Sequence, residues 1–305
     1  MRSMIGILTY RRVNALYEML SGIDKHCPQY ACVVSEDCGQ RDATANLLQQ
    51  GREPRPNKEL MATEYVIGDN PLDAHFPNVR AFMGDRNMGV AASSNRLLKV
   101  FMDSDCDHLC LCNDDLHVLG NFVDLYGKAH VDLEIGMFCF CDFTADNYPN
   151  GHTYKWTTYP WRGYQVKMLP RFTGIMVSVT RALIEKMGYF DAEFGQWGEE
   201  HSDFTIRARL AGGIKMAGQD MNCLDIEHSL LRHQEVPSSM FGQARKRADV
   251  EAGEVMGRKS REYHYRHYYR PYRLTYPRFA GGLMGSGIPC RSLEEIGYTL
   301  VTDLV

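Results

Sequence analysis

Residues 108–115 read HLCLCNDD, a short apolar run that ends abruptly in an amide and two carboxylates. An apolar run of this length, bounded by polar residues, is typical of a buried strand in a parallel sheet. The same pattern occurs at Met4–Thr9 and again at Tyr30–Ser35, which precedes Glu36-Asp37. Ligands of open α/β sheets bind in the crevice beyond the carboxyl ends of the strands. The polar strand ends therefore predict a binding site for a ligand with hydroxyl and amide donors, together with a divalent cation.

Helical patterns separate the predicted strands. Apolar residues recur at the helical period from Val13 to Ile23, and a second such face spans Ala91 to Met102. Strands that alternate with helices predict an α/β domain with a parallel sheet. Further elements are predicted at Val79–Met83, Thr173–Val179, a helix from the N-cap Thr180 to Gly188, a helix at Phe204–Leu210 and a strand at Cys223–Ile226. The aromatic and polar stretch 142–170 is predicted to be a long functional loop.

The composition restricts the class of protein. The 305 residues are 44% hydrophobic and 24% charged, which is typical of globular proteins and excludes disordered, collagenous and coiled-coil chains. No apolar stretch approaches the roughly 18 residues of a membrane span, and no leader is recognised, so we expect a soluble, cytoplasmic protein. The ten cysteines lack framework spacing and are expected to stay reduced. No G-x-G-x-x-G turn follows the first strand, which disfavours a nicotinamide dehydrogenase.

Charge is distributed unevenly along the chain. Residues 241–279 carry ten Lys or Arg against four acids, whereas the net charge of the whole chain is −4. Tyrosines and arginines interleave in the stretch 258–278, a mixture that suits contact with nucleic acid. The alternatives are a tail that folds back on the acidic body and a subunit contact, since interfaces favour the same residues.

Five motifs, in this order, resemble those of the family 2 inverting glycosyltransferases with the GT-A fold. They are Thr9-Tyr10-Arg11-Arg12; Val33-Val34-Ser35-Glu36-Asp37; Asn87-x-Gly89 with Asn95; Asn113-Asp114-Asp115; and Gly188-x-Phe190-Asp191-x-x-Phe194 leading to Trp197-Gly198-Glu199-Glu200-x-x-Asp203-x-x-x-Arg207. The resemblance covers roughly residues 4 to 230. It implies an α/β fold of the GT-A type, with a Rossmann-like, mostly parallel central sheet flanked by helices. It also implies a transferase domain at residues 1–235 and a basic, Tyr/Arg-rich C-terminal extension at 236–305 for acceptor or partner contacts.

The resemblance assigns residues to a nucleotide-sugar donor, with a UDP-sugar expected. Thr9, Glu36 and Asp37 are expected to contact the base and ribose, because carboxylates accept from N–H groups and hydroxyls. A solvated turn is the alternative for Glu36-Asp37. The residues expected to complete the donor site are Arg11, Asn87, Gly89, Asn95, Asn113 and Gly174.

The acidic triplet matches the family's D-x-D motif, with Asn113 in place of the first acid. By resemblance, Asp115 is a ligand of Mn²⁺ or Mg²⁺, Asp114 assists it, and His228 supplies a further ligand. Hard divalent cations take oxygen ligands, and such an ion would neutralise the diphosphate leaving group.

The general base is where the sequence departs from the family pattern. Alignment through Asp203 and Arg207 puts Glu200 on the family's Glu and His201 on the Asp that deprotonates the acceptor. Either Glu200 or His201 is a candidate base, and Asp203 belongs to the predicted catalytic set. Inversion is the expectation, and a retaining enzyme without a base here is the alternative.

The acceptor is predicted to be a glycan or small saccharide. Trp197 is expected to pack against the acceptor sugar or else in the core, and Trp156 and Trp161 are expected to form a lid that excludes water. Hydroxymethylated DNA, other nucleic acid and protein are alternative acceptors. A non-catalytic nucleic-acid-binding protein on a degenerate transferase scaffold is the alternative from another class. The sequence is compatible with an oligomer.

Overall fold

A computed structural model describes most of the predicted domain. The described residues are 1–10, 12–36, 76, 79–84, 89–140, 158–169, 175–191, 200–213, 223–234 and 298–300. Within them the chain forms twelve strands and five helices.

The central sheet of the described part has seven strands. They are β1 (Ser3–Thr9), β2 (Ala31–Glu36), β3 (Val79–Gly84), β4 (His108–Asn113), β6 (Met137–Phe140), β9 (Met176–Thr180) and β12 (Tyr298–Leu300), in the order β12-β3-β2-β1-β4-β9-β6. The four adjacent strands β3, β2, β1 and β4 are parallel, while β9 and β12 run antiparallel to their neighbours. The prediction of a mixed α/β fold with a parallel-rich sheet is therefore confirmed.

The strand order reverses between β1 and β4. From β1 the chain moves outward to β2 and β3, and it then crosses back to form β4 on the other side of β1. Such a reversal leaves a crevice beyond the carboxyl ends of the two strands, where open α/β sheets bind their ligands. The polar residues that follow β1 and β4 lie at this point.

Helices cover both faces of the sheet. They are α1 (Val13–His26), α2 (Val90–Asp103), α3 (Phe122–Leu133), α4 (Arg181–Met187) and α5 (Glu200–Leu210). Successive strand residues point to opposite faces, so Ile5 and Ile7 pack with α1 and α3, while Met4 packs with α2 and α4. A parallel sheet buried on both faces needs apolar residues at nearly every position, which explains the continuous apolar runs in the sequence.

Two smaller sheets extend the domain. One has the order β10-β8-β7, formed by Cys223–Glu227, Tyr164–Leu169 and Thr158–Trp161, and the other pairs β11 (Leu231–His233) with β5 (Leu116–Val118). The β7–β8 hairpin corrects the prediction that the whole of 142–170 is a loop. Trp161, expected in an acceptor lid, is buried and donates its indole N–H to Asp132 at 3.1 Å. That expectation is wrong for Trp161, because its ring belongs to the hydrophobic core.

Most predicted elements are confirmed with small shifts of their ends. Thr180 caps α4 by accepting from the backbone N–H of Leu183, and Gly188 ends the helix with a φ of 76°. The helix predicted from Phe204 begins one turn earlier, at Glu200. None of the described helices is long and apolar enough to cross a bilayer. All seven cysteines in the described ranges are free thiols.

A chain of hydrogen bonds joins two buried histidines across the sheet. The Nδ1–H of His130 donates to the carbonyl of Ile135, which leaves its Nε2 to accept from Ser178 Oγ at 2.8 Å. The same hydroxyl accepts from Nε2 of His108 at 2.7 Å, and Nδ1 of His108 lies 2.9 Å from Ser3 Oγ. Burial lowers the pKa of His130 to about 4 and the pKa of His108 well below its ordinary value of 6.5. Both imidazoles are therefore neutral in the folded protein.

Because His108 and His130 are neutral in the folded protein, their contribution to the free energy of unfolding is predicted to fall in mild acid. The unfolded chain takes up protons below about pH 6.5 that native His130 does not accept until about pH 4, so the contribution of His130 to the free energy of unfolding falls as pH drops through this window. His130 alone contributes a loss of about 3 kcal/mol by pH 4. Urea unfolding at intervals from pH 7 to pH 4.5 measures the slope. His130→Gln should lose less stability than the wild type over this range, so the comparison of the two slopes isolates His130 from the opposite contribution of Asp114, whose pKa burial raises to about 7. Equal slopes in the two proteins would contradict a neutral His130.

Candidate active site

The pairing of β1 with its neighbours brings three polar strand ends together. Thr9 at the end of β1 is in register with Glu36 at the end of β2, and Leu8 is in register with Asn113 at the end of β4. Parallel strands end at the same edge of a sheet, so this register is what collects the polar side chains. Glu36 is completely buried, which excludes the solvated turn as its environment.

Thr9 and Arg12 hold the first carboxylate of the acidic pair. The hydroxyl of Thr9 donates to Oδ2 of Asp114 at 2.7 Å. Nη1 of Arg12 lies 3.0 Å from Oδ1 of the same carboxylate and 3.1 Å from Oδ2 of Asp115. Arg12 immediately precedes α1, so the turn from β1 into that helix places its guanidinium between the two acids.

The β5–β11 ladder brings a histidine to Asp115. His233 pairs with Leu116, the residue after Asp115, and the backbone N–H of Gln234 donates to the carbonyl of Asp115 at 2.7 Å. Nε2 of His233 consequently lies 3.3 Å from Oδ2 of Asp115. Glycine at position 22 allows α1 to approach β5, since a side chain there would come within 2.8 Å of the Val118 backbone.

The two carboxylates have opposite pKa shifts. Burial raises the pKa of Asp114 to about 7, although the charge of Arg12 opposes this effect. Burial also pushes the pKa of Asp115 upward, but the hydrogen bond from His233 and the charge of Arg12 outweigh it and hold that pKa below its usual value. Asp115 is therefore the stronger candidate for a permanently ionised metal ligand.

Two buried polar atoms of this cluster lack a hydrogen-bond partner among the described residues. They are Oδ1 of Asp115 and Nη2 of Arg12. An ionised oxygen in this position fits a divalent cation, which prefers carboxylate ligands. No cluster of three or more His, Cys, Asp or Glu in the described ranges forms a complete protein-only metal site. A cation here would take its remaining ligands from substrate phosphate and water, as Mg²⁺ commonly does.

His228, the predicted second metal ligand, belongs to a hydrogen-bond network with Tyr126 and Asp225. Its Nε2 lies 3.1 Å from the hydroxyl of Tyr126, which donates to Oδ1 of Asp225 at 2.8 Å. Its Nδ1 accepts from the backbone N–H of Leu230, and its ring stacks on Phe140. The histidine that the described residues bring to Asp115 is His233, and metal ligation by His228 stays a prediction.

The predicted base region forms a second group, at the first turn of α5. Nδ1 of His201 lies 2.8 Å from Oε1 of Glu200, whose side chain is 2% exposed. The ring of His201 also meets Phe190 edge-on. A buried carboxylate beside one ring nitrogen fixes the orientation of an imidazole. The two candidate bases, Glu200 and His201, are thus paired with each other.

Asp203, the third predicted catalytic residue, is paired with Arg207. Its Oδ2 lies 2.8 Å from Nε of Arg207, one helical turn away. Arg207 is buried, and its Nη1 donates to the carbonyls of Met187 and Tyr189. The pair therefore anchors α5 to the segment that follows α4, and a catalytic role for Asp203 stays a prediction.

Two residues predicted to lie in the wall of the donor site, Asn95 and Gly89, are among the described residues. The side-chain amide of Asn95 pairs with the backbone of Phe190, donating to its carbonyl at 2.8 Å and accepting from its N–H at 2.7 Å. Gly89 precedes α2 with a φ of 88°, a left-handed conformation that favours glycine. Their expected place in the donor-site wall stays a prediction.

Several predicted features lie outside the described residues. They are Arg11, Asp37, Asn87, Gly174 and Trp197, together with Trp156 and the Tyr/Arg stretch 258–278. Asn113 is described, and its backbone N–H donates to the carbonyl of Ile175 at 2.9 Å.

Sequence reasoning missed Arg12 and His233 as site residues. Arg12 belongs to the first motif, and its position three residues after a strand end was a usable signal. His233 carried no comparable signal, because the three-residue strand that positions it has no distinctive pattern.

No protein-family model matches the sequence, and no curated protein matches it. Among solved structures, S. aureus TarS matches at 15% identity over 69% of this chain and 34% of that chain, with a TM-score of 0.47. A structure of S. aureus TarS 1–349 in complex with UDP-GlcNAc matches at 13% identity over 69% of this chain and 54% of that one, with a TM-score of 0.46. GalNAc-T7 with UDP, GalNAc and Mn²⁺ matches at 12% identity over 78% and 44%, with a TM-score of 0.49. The chain spans about a third to about half of the length of these three structures.

The amide pairing of Asn95 predicts a large stability effect. Asn95→Ala leaves the buried N–H and carbonyl of Phe190 without partners, which should lower the free energy of unfolding by roughly 2 to 4 kcal/mol. Asn121→Ala is a matched control, because it removes the N-cap of α3 together with a weak contact from the Cys27 thiol, and it should cost about 1 kcal/mol. Urea denaturation of both variants measures the difference. Equal costs would show that the Asn95 amide does not hold the Phe190 backbone.

Proposed function

We propose that this protein is a metal-dependent glycosyltransferase that moves a sugar from a nucleotide-sugar donor, a UDP-sugar, to a hydroxyl acceptor with inversion. The observation that carries the proposal is the Asp114–Asp115 pair at the point where the strand order reverses, held by Thr9, Arg12 and His233. The order of motifs that resembles family 2 glycosyltransferases supports the same assignment. Membership of that family is part of the proposal.

The donor site is assigned from the strand ends outward. Glu36, at the end of β2, is proposed to accept hydrogen bonds from the base or ribose of the nucleotide, with Asp37 next to it in sequence. Thr9 fixes Asp114, and Asp115 presents Oδ1 to Mn²⁺ or Mg²⁺, with His233 beside it. When bound, the metal supplies charge neutralisation of the diphosphate leaving group. His228 remains the alternative histidine ligand suggested by the sequence.

The Glu200–His201 pair is assigned to proton transfer. The acceptor oxygen forms a bond to the anomeric carbon as the bond from that carbon to the diphosphate oxygen breaks. Nε2 of His201 takes the acceptor proton, and Glu200 orients the ring through Nδ1. A single displacement of this kind inverts the anomeric configuration. The proposed acceptor is a glycan or small saccharide.

A donor-hydrolysis screen over nucleotide sugars with Mn²⁺ present tests the proposed activity. Release of nucleoside diphosphate from at least one donor is expected. Acceptor glycans added to the active donor then identify transfer, and the anomeric configuration of the product is determined by NMR. A folded protein that neither binds nor cleaves any nucleotide sugar would refute the proposal.

The metal assignment predicts dependence on Asp115. Asp115→Asn removes an ionised ligand and should abolish donor turnover while the circular dichroism spectrum is unchanged. Chelation of the wild-type protein should remove activity, and added Mn²⁺ should restore it. Asp105→Asn is the control, because Asp105 is exposed and pairs with Arg2 near the start of β1. Full activity in excess chelator would end the metal-dependent mechanism.

The base assignment predicts different effects for the two paired residues. His201→Gln should abolish transfer while donor binding persists, because no group is left to accept the proton. Glu200→Gln should lower kcat by roughly 10- to 100-fold with little change in KM, since the imidazole remains but loses its orientation. A mild His201→Gln together with a severe Glu200→Gln would instead make Glu200 the base.

A further inference from the structure

Arg12 occupies an unusual position within the acidic cluster. One of its terminal nitrogens, Nη1, contacts Asp114 and Asp115 at 3.0 and 3.1 Å, and all three side chains are largely shielded from solvent. A guanidinium is always charged, so this cation is built into the place where the proposed metal would be bound. The cluster thus holds a fixed positive charge before any ligand arrives.

The cluster contains a hydrogen-bond donor and a hydrogen-bond acceptor that could bind a ligand together. Nη2 of Arg12 is a buried donor and Oδ1 of Asp115 is a buried acceptor, and neither has a hydrogen-bond partner among the described residues. A buried donor or acceptor without a partner costs free energy, so the site favours a ligand that satisfies both atoms. Such a ligand presents an anionic oxygen to Nη2 and a cation to Oδ1. A diphosphate with its divalent metal has this combination.

The charges of the cluster specify what Arg12 contributes. With both carboxylates ionised, Asp114, Asp115 and Arg12 sum to a charge of −1. A divalent cation changes this sum to +1, whereas without Arg12 the same cation would give a neutral site. Arg12 therefore opposes the entry of the metal and attracts the diphosphate that follows.

We infer that Arg12 is a diphosphate-binding residue that couples the metal to the donor: it weakens binding of the divalent cation alone and strengthens binding of the nucleoside diphosphate to the metal-loaded protein. The inference rests on the proposed function and adds to it an ordered assembly, in which the cation is retained well only when the diphosphate is present. Arg12 contacts the two acids through Nη1 and the phosphate oxygens through Nη2.

Two affinities measured on the full chain test this role. Mn²⁺ binding without nucleotide is followed by the EPR signal of the free ion, and UDP binding at saturating Mn²⁺ is followed by calorimetry. Arg12→Met should bind Mn²⁺ roughly tenfold more tightly and UDP roughly tenfold more weakly than the wild type. Loss of fold would weaken both, so opposite shifts separate the proposed role from a structural one. Arg2→Met is the matched control, since its exposed guanidinium pairs with Asp105 and should affect neither affinity.

Arg12→Lys keeps the positive charge but removes the planar guanidinium group with its two terminal nitrogens. It should bind Mn²⁺ within about threefold of the wild type and bind UDP more weakly, because one ammonium cannot span both carboxylates and still reach the phosphate. If Arg12→Met does not fold, wild-type UDP affinity in Arg12→Lys overturns the inference. Unchanged Mn²⁺ affinity in folded Arg12→Met also overturns it and leaves the glycosyltransferase proposal intact. A wild-type protein that binds neither Mn²⁺ nor UDP overturns both.

Discussion

The parallel register of β1 with β2 and β4 is the constraint on which the site depends. Because all three strands run in the same direction, Thr9, Glu36 and Asn113 come to one edge, and Asp114 follows within reach of the Thr9 hydroxyl. A shift of β4 by one residue would turn its apolar side chains to the opposite faces and move the acidic pair away from Thr9. The register of β4 therefore fixes the chemistry at this edge of the sheet.

The acidic cluster at this edge of the sheet consists of charged side chains that are shielded from solvent. Asp114 and Asp115 are both removed from water, an arrangement that is unfavourable unless a cation accompanies them. Arg12 supplies part of that compensation from within the chain, and His233 supplies a hydrogen bond to one carboxylate. The opposite pKa shifts of the two acids follow from this unequal support, because His233 reaches Asp115 and not Asp114.

The strands and helices that position the site could be predicted because their patterns are local. The apolar runs of β1, β2 and β4 identify buried parallel strands whatever the rest of the chain does, and the polar residue after each run marks the edge. His233 could not be predicted in this way, since only the pairing of β11 with β5 brings it to Asp115. The pairing of Glu200 with His201 also required the structure, because the sequence offered the two residues as competing bases. Trp161 shows the opposite error: an aromatic residue among turn-forming residues suggested a loop, whereas the β7–β8 hairpin buries it.

The β5–β11 ladder gives the site two parts of unequal rigidity. Thr9 and Asn113 lie on strands within the central sheet, while His233 is carried by a ladder of three residue pairs in a separate two-stranded sheet. Short ladders of this kind open by local unfolding at a lower free energy than the core strands, so their amides exchange with solvent sooner. As temperature rises, His233 is released from Asp115 while Thr9 and Asn113 stay in the central sheet. The acidic cluster would then lose its histidine before the global melting transition of the chain.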